Sequence, residues 1–201
     1  SMRFGAQRSK LALAADFAEA LSQSAFRAGD SLGMLAFDAH ERNDLFVPAM
    51  LCRDVGSVMA QILRNCEGGA GGVEGLEEAA LHLSGRQGLI FLLSDFHWPL
   101  DRHGAVLDLL APAYVVPMVL WDRAETEPPS RDGLALVQDS ERPGRRMLWI
   151  RPKLREQWRE AVRARRAELN RLFDSRGMRA FYVEGEIDGE ALSQYFLEAT
   201  A

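Results

Sequence analysis

Apolar residues along this chain form two kinds of pattern, short continuous runs and longer segments with helical spacing. The clearest continuous run covers 88–93 and is followed directly by Ser94, Asp95 and Phe96. An uninterrupted apolar run of this length is typical of a strand that is buried on both faces of a parallel sheet. Ligands and partners of open α/β sheets usually bind at the carboxyl edge. The pattern therefore places Asp95 at a candidate functional site.

The remaining patterns predict an alternation of helices and strands. Helical spacing predicts helices at 9–27, 55–66, 73–83, 101–110, 152–175 and 189–199. Apolar runs predict strands at 32–37, 44–47, 89–93, 114–121, 134–138, 147–150 and 180–183. Pro48 is expected to close the second strand, and Pro117 indicates an edge strand or a bulge. This order predicts one α/β domain over 1–201, a three-layer α/β/α sandwich around a mainly parallel sheet.

Composition and charge narrow the class of protein. The chain has 201 residues, 47% of them hydrophobic, which is enough for one sizeable core. Its net charge of −5 argues against a molecule built as a whole to bind nucleic acid. Basic residues are concentrated in 151–179, where ten Lys and Arg stand against four Asp and Glu. No apolar run reaches the length of about 18 residues that a membrane segment needs.

The two cysteines, Cys52 and Cys66, lie in or beside a predicted helix. Two thiols in that setting do not suggest a disulfide framework, and reduced thiols indicate a reducing compartment. No signal peptide is visible. We therefore expect a cytoplasmic protein.

Four short motifs stand out by their order along the chain. They are the opening 1–5 followed by Lys10, the Gly-Asp pair at 29–30 with Gly33 before a strand, the Ser-Asp-Phe at 94–96, and Trp121-Asp122 followed by Glu125. This order resembles the von Willebrand factor A-type domain and, more closely, the bacterial family catalogued as domain of unknown function 58. Members of that family often accompany MoxR-type AAA+ ATPases, so the resemblance implies such an ATPase as the protein partner.

The resemblance also implies a metal site. In intact domains of this type, hydroxyl and carboxylate side chains from several loops hold a divalent cation, commonly Mg²⁺. Here it leaves Ser1 and Asp95 as candidate ligands, because the preceding aspartate and serine are missing and Val73 or Ala70 stands where the family has a threonine. Two ligands are a poor cage for Mg²⁺. We therefore expect a degenerate metal-ion-dependent adhesion site, no cofactor and no tight divalent cation.

The resemblance further implies a first, central strand that this sequence lacks. Its absence would leave unpaired strand edges beside a buried slot. We expect a longer native chain upstream of Ser1, a rearranged sheet, or a second chain that fills the slot. If that chain is a second copy, the protein is a homo-oligomer.

These observations favour a non-enzymatic protein–protein interaction module. The contact surface is expected around 1–4, 68–73 and 95–98, with Phe96 in the core and Trp98 either an interface anchor or a core residue. The candidate partner-binding residues on this edge and on the basic helix are Met2, Arg3, Phe4, Asp95, His97, Trp98, Arg163, Arg165 and Arg166.

Two alternatives belong to other classes of protein. Asp95, His97 and His103 together would form a metal-dependent hydrolase site, although their spacing matches no strong zinc motif. The helix from Lys153 to Arg176 would bind nucleic acid, although its arginines alternate with glutamates at the spacing of solvated ion pairs. The interaction module remains the leading interpretation.

Overall fold

The computed structural model describes residue 2 and residues 8–66, 74–100, 104–138 and 145–199. The helices are α1 (Lys10–Ala28), α2 (Val55–Asn65), α3 (Gly75–Leu83), α4 (Gly104–Asp108), α5 (Arg123–Thr126), α6 (Pro152–Asp174) and α7 (Gly189–Ala199). The strands are β1 (Leu32–Met34), β2 (Val47–Met50), β3 (Leu89–Ser94), β4 (Tyr114–Trp121), β5 (Gly133–Gln138), β6 (Arg145–Ile150) and β7 (Phe181–Glu184). Helices and strands alternate as the apolar pattern predicts.

Three parallel strands form the central sheet, in the order β3, β4, β7. All of β3 pairs with β4, and β7 pairs with the second half of β4. Since the strands are parallel, their carboxyl ends lie at the same edge of the sheet. That edge carries Ser94 and Asp95 after β3, and Trp121 and Asp122 at the end of β4.

The side chains of β4 explain why helices cover both faces of the sheet. Successive residues of a strand point to opposite faces. Val119 and Trp121 belong to a hydrophobic core that includes residues of α3, α4 and α6. Met118 and Leu120 belong to a second core, with residues of α1 and α7. The predicted three-layer α/β/α arrangement is confirmed by these two cores.

Pro117 does not mark an edge strand or a bulge, so that expectation was wrong. It lies in the central strand of the sheet, in regular register with Leu92 of β3. The pairing between β4 and β7 starts one residue later, at Met118. A proline at this point therefore removes no ladder hydrogen bond to β7, which is why the strand tolerates it.

The strands predicted at 32–37 and 44–47 form an antiparallel pair with shifted bounds. β1 ends at Met34, and β2 pairs antiparallel with it from Val47 to Met50. Pro48 was expected to end the strand but lies inside β2. The register of this small sheet shifts between the pair Leu32–Met50 and the pair Met34–Val47. Pro48 lies at this irregularity, where a residue without a backbone N–H is tolerated.

The strands predicted at 134–138 and 147–150 are also present. β5 and β6 form a separate antiparallel pair in which Leu134 lies opposite Trp149. Leu134, Met147 and Trp149 are all exposed, whereas Ile150 is buried. One face of this hairpin therefore presents apolar side chains to solvent.

The helix ends follow ordinary capping chemistry. Ser9 caps α1 by accepting a hydrogen bond from the backbone N–H of Ala12, and Gly29 ends it in the left-handed conformation at φ 81°. Pro152 opens α6, as predicted. The predicted starts of the third and fourth helices, at 73 and 101, lie outside the described residues.

Two further observations concern membrane-spanning helices and disulfides. Within the described ranges, no helix combines the length and apolar character that a bilayer crossing requires. Neither Cys52 nor Cys66 forms a disulfide.

Candidate functional site

The loop after β3 has one defined conformation because Ser94 fixes it. The Ser94 Oγ accepts hydrogen bonds from the backbone N–H of Phe96 at 3.1 Å and from Trp98 Nε1 at 3.3 Å. Phe96 has a positive φ of 51°. Among the described residues, all other positive φ values belong to glycines. Such a conformation is unfavourable for a side chain with a β-carbon and persists where packing enforces it. The buried Phe96 ring packs edge-on against Phe173, as its predicted core position requires.

Two side chains from other elements hold the carbonyl groups of this loop. Trp121 Nε1 donates to the backbone oxygen of Asp95 at 2.9 Å. Arg165 of α6 donates to the backbone oxygens of Phe96 and Trp98, each at 2.5 Å. These contacts fix the loop on both the strand side and the helix side.

The centre of the site is a buried ammonium group between two carboxylates. Lys10 Nζ lies 2.8 Å from Glu125 Oε1 and 3.2 Å from Asp95 Oδ2. The side chains of Lys10 and Asp95 are 2% and 3% exposed, and that of Glu125 is 17% exposed. Lysine and carboxylate groups are almost never buried to this extent unless they are paired.

Each of these charged groups reaches the centre from the end of an element. Lys10 is the first residue of α1, directly after the N-cap Ser9. Asp95 follows β3, and Glu125 lies in α5, directly after β4, where it forms a capping box with Asp122. Because β3 and β4 are parallel neighbours, the segments that follow them meet at one edge of the sheet.

The surroundings of Glu125 keep it ionised. Burial by itself would raise its pKa, but the nearby His97 ring and the hydrogen bonds from Lys10 and from the backbone N–H of Asp122 outweigh burial and lower the pKa to about 2. His97 Nε2 lies 3.7 Å from Glu125 Oε2. Glu125 therefore carries a negative charge throughout the neutral pH range.

A cavity of about 360 Å³ opens beside the charged groups. It is lined by His97, Trp121, Glu125, Thr126, Trp158, Ala161, Val162 and Arg165. The His97 ring lies nearly parallel to that of Trp121, at an interplanar angle of 9°. Trp158 Nε1 donates to the backbone oxygen of Glu125 at 2.7 Å, which fixes the second indole ring. The cavity thus has rigid aromatic walls next to an imidazole and a guanidinium group.

A family model described as "Protein of unknown function DUF58" matches residues 1–168. The chain belongs to the DUF58 family. The matched stretch contains the four short motifs of the sequence resemblance, and it extends into α6. No curated protein and no solved structure matches the chain. Membership of DUF58 is therefore confirmed, and it assigns no activity.

The described residues of this DUF58 chain do not fit a divalent cation at Asp95. Mg²⁺ requires a near-octahedral shell of oxygen ligands at about 2.0–2.1 Å, whereas an ammonium group already contacts both carboxylates of the site. Across the described ranges, no group of three or more His, Cys, Asp and Glu side chains could hold a metal ion. The predicted ligand Ser1 and the loop 68–73 lie outside those ranges.

Some of the predicted contact residues come together at the carboxyl edge. Asp95, His97 and Trp98 belong to the same loop, and Trp98 packs against the core, which is one of the two roles that the sequence left open. Met2 packs against the core between α1 and α7, and its carbonyl oxygen accepts from the backbone N–H of Leu11 at 2.9 Å. The predicted residues outside the described ranges are Ser1, Arg3, Phe4 and His103.

The three predicted arginines of the basic helix do not share one surface. At about 100° per residue, position 165 lies about 160° from position 163 and about 100° from position 166, whereas positions 163 and 166 are only about 60° apart. Arg163 pairs with Glu156 at 3.1 Å in solvent, and Arg166 lies over the ring of Tyr182 at 4.0 Å. Arg165 turns towards the loop after β3. Arg165 is therefore a positioning residue for that loop, whereas the side chains of Arg163 and Arg166 are exposed.

Sequence reasoning noted Lys10 and Glu125 only as motif positions and missed them as the centre of the site. One available signal was the helical period. Lys10 lies three, four and seven positions before Leu13, Ala14 and Phe17, which are all buried. A lysine on the buried stripe of a helix must find a partner inside the protein.

Proposed function

We propose that this DUF58 protein is a non-enzymatic protein–protein interaction module that binds its partner at the carboxyl edge of the parallel sheet. The proposal rests on the cavity between Trp121 and Trp158, which opens beside charged groups that already bond to one another. A preformed cavity with tryptophan walls suits an anchoring side chain of a protein partner.

The charged groups beside the cavity support binding rather than catalysis. A general base works best when its pKa lies near the working pH, and the pKa of Glu125 is lowered to about 2. Lys10 and Asp95 have almost no exposed surface and point at each other. None of these groups is offered to a substrate in a reactive state.

The shape of the cavity supports an anchor of moderate size. Its volume of about 360 Å³ lies at the small end of the range for ligand pockets. Trp121, Trp158 and Val162 supply apolar walls, and His97 and Arg165 supply polar groups at the same site. Interfaces commonly combine an apolar centre with a polar rim of this kind.

The family resemblance supports one class of partner. Because members of the resembled family often accompany MoxR-type AAA+ ATPases, we propose an ATPase of this type as the protein that binds the edge. In this proposal the DUF58 chain contributes a rigid contact surface, and the nucleotide chemistry belongs to the ATPase.

A matched pair of variants tests the surface. Ala161 lines the cavity and Ala167 lies on another face of α6, and both are exposed. Ala161→Trp should fill the cavity and weaken binding to the MoxR-type ATPase of the same organism at least about tenfold, a loss of about 1.4 kcal/mol. Ala167→Trp adds the same side chain elsewhere and should bind like the wild type. Binding is measured by titration calorimetry.

Two outcomes would contradict the proposal. Equal binding by Ala161→Trp and Ala167→Trp would show that the cavity is not the contact surface. Failure of the wild-type protein to bind the ATPase would reject this partner class.

A further inference from the structure

We propose that Lys10 is the resident cation of the carboxylate pair Asp95 and Glu125, and that its ammonium group takes the role which the family resemblance gives to a divalent metal ion. In this arrangement Lys10 offsets one of the two negative charges and excludes metal by occupying the oxygens that would bind it. The inference goes beyond the proposed interaction and holds whichever protein binds the edge.

The carboxylate oxygens of this pair are already engaged. Glu125 Oε1 and Asp95 Oδ2 accept from Lys10, at 2.8 Å and 3.2 Å. Glu125 Oε2 accepts from the backbone N–H of Asp122 at 3.0 Å, and Asp95 Oδ1 accepts from that of His97 at 3.4 Å. A divalent ion would have to displace these donors before it could reach the oxygens at about 2.0–2.1 Å.

The position of the ammonium group also opposes a second cation at the same oxygens. One ammonium group lies between two carboxylates in a site where the side chains of Lys10 and Asp95 are 2% and 3% exposed. Away from water, charges within a few ångströms interact strongly and salt screens them little. A divalent ion at Asp95 would therefore be repelled by Lys10, and binding of the ion requires that Lys10 leave.

Lys10 makes the connections that a bridging metal ion would make. Its two ion pairs join the start of α1 to the loop after β3 and to α5 after β4, across 85 and 115 positions of sequence. A metal ion held by carboxylates from separate loops fixes those loops relative to one another. The ammonium group gives the same constraint with a covalently attached charge.

The identity of the residue supports this role. Of the 24 Lys and Arg residues in the chain, only Lys10 and Lys153 are lysines. An ammonium group is a compact charge with three donors, whereas a guanidinium group is a planar fork suited to side-by-side contact with one carboxylate. A compact charge between two carboxylates from different segments resembles a bound metal ion more closely.

Thermal unfolding with and without a few millimolar Mg²⁺ or Mn²⁺ tests the proposal. The unfolding temperature of the wild-type protein should not change. Lys10→Met keeps a similar side-chain length and removes the charge, so the same ions should raise its unfolding temperature by several degrees through binding to the native state. The rise should disappear in the double variant Lys10→Met/Asp95→Asn. Lys153→Met, which removes the exposed lysine, should behave like the wild type.

A rise in the unfolding temperature of the wild-type protein would overturn the proposal, as would a folded Lys10→Met variant that does not respond to either ion. If Lys10→Met does not fold, the wild-type protein supplies the answer. The concentration of free Mn²⁺, measured by electron paramagnetic resonance, should stay constant when wild-type protein is added. In the same samples, Lys10 should stay protected from amine reagents. A fall in free Mn²⁺ together with labelling of Lys10 would contradict the claim that Lys10 excludes metal ions from Asp95 and Glu125.

Discussion

Two sets of ion pairs in this molecule have similar distances and different surroundings. At the carboxyl edge, Lys10 lies 2.8 Å from Glu125, and its side chain is 2% exposed. On α6, Arg163 lies 3.1 Å from Glu156, and these side chains are 65% and 61% exposed. The energy between two unit charges about 4 Å apart is about 1 kcal/mol in water and about 4 kcal/mol at an effective dielectric constant of 20. Burial, rather than distance, therefore separates the two sets.

The difference shows which charges the fold depends on. An exposed partner that is left alone regains water, so the loss is small. A buried partner that is left alone remains an uncompensated charge, so the loss is large even where the intact pair adds little net stability. The site at the carboxyl edge should therefore control stability, and the many pairs on α6 should not.

The largest effect is expected from Lys10→Met. It leaves Asp95 and Glu125 buried without their shared cation and should reduce the free energy of unfolding by about 3–5 kcal/mol. Urea denaturation gives this value, with Lys153→Met as the matched control that should stay within about 0.5 kcal/mol of the wild type. A loss below about 1 kcal/mol for Lys10→Met would remove the contrast between the two sets of pairs.

The second-largest effect on stability is expected from acidification, which protonates Glu125. Its pKa is lowered from 4.5 to about 2 in the folded protein. A group with a depressed folded pKa contributes its stability above the unfolded pKa and loses it as the pH falls towards the folded pKa. The contribution, at most about 3 kcal/mol, should therefore disappear between about pH 4.5 and pH 2.

Urea denaturation at a series of pH values measures this loss. Glu125→Gln cannot titrate, so its stability should fall less steeply over the same interval. Identical slopes for the two proteins would mean that Glu125 is not held ionised by its neighbours.

A smaller effect is expected from Arg165→Ala, because Arg165 holds the backbone oxygens of Phe96 and Trp98. Loss of hydrogen bonds from a charged donor typically reduces stability by about 1.5–3 kcal/mol. The variant should also loosen the loop after β3, which hydrogen exchange of its backbone amides would report. Unchanged exchange in this loop would contradict the positioning role.

The smallest effect is expected from Arg163→Ala, two positions away on the same helix. Arg163 pairs with Glu156 in solvent, and exposed pairs contribute about 0–1 kcal/mol. Its unfolding curve should nearly overlay that of the wild type. A loss of stability as large as that of Arg165→Ala would show that side-chain exposure does not determine how much each arginine contributes to stability.

The layered fold follows from patterns that are local in the sequence. The continuous apolar run of β4 predicts a strand buried on both faces, and its alternating contacts with two cores agree with that prediction. The position of Pro117 in the sheet could not be predicted in the same way. It depends on where β7 begins to pair, which is set by residues more than sixty positions later.

The candidate site was predicted only in part for a related reason. The end of β3 indicated Asp95, because a carboxylate after a buried strand lies at the carboxyl edge. Lys10 and Glu125 meet it from positions 85 residues before and 30 residues after it in the sequence. No local pattern gives such a meeting, although a lysine on the buried stripe of α1 shows that some partner is required.

Amine labelling of the native wild-type protein, read by peptide mass spectrometry, tests the central claim most directly because the chain contains just two lysines. Lys153 is exposed and should react at the rate of a free lysine. Lys10 should react at least about a hundredfold more slowly, since only opened molecules expose it, and at the same rate as Lys153 once urea unfolds the protein. Equal labelling of the two lysines in the native protein would contradict a buried ammonium group between Asp95 and Glu125.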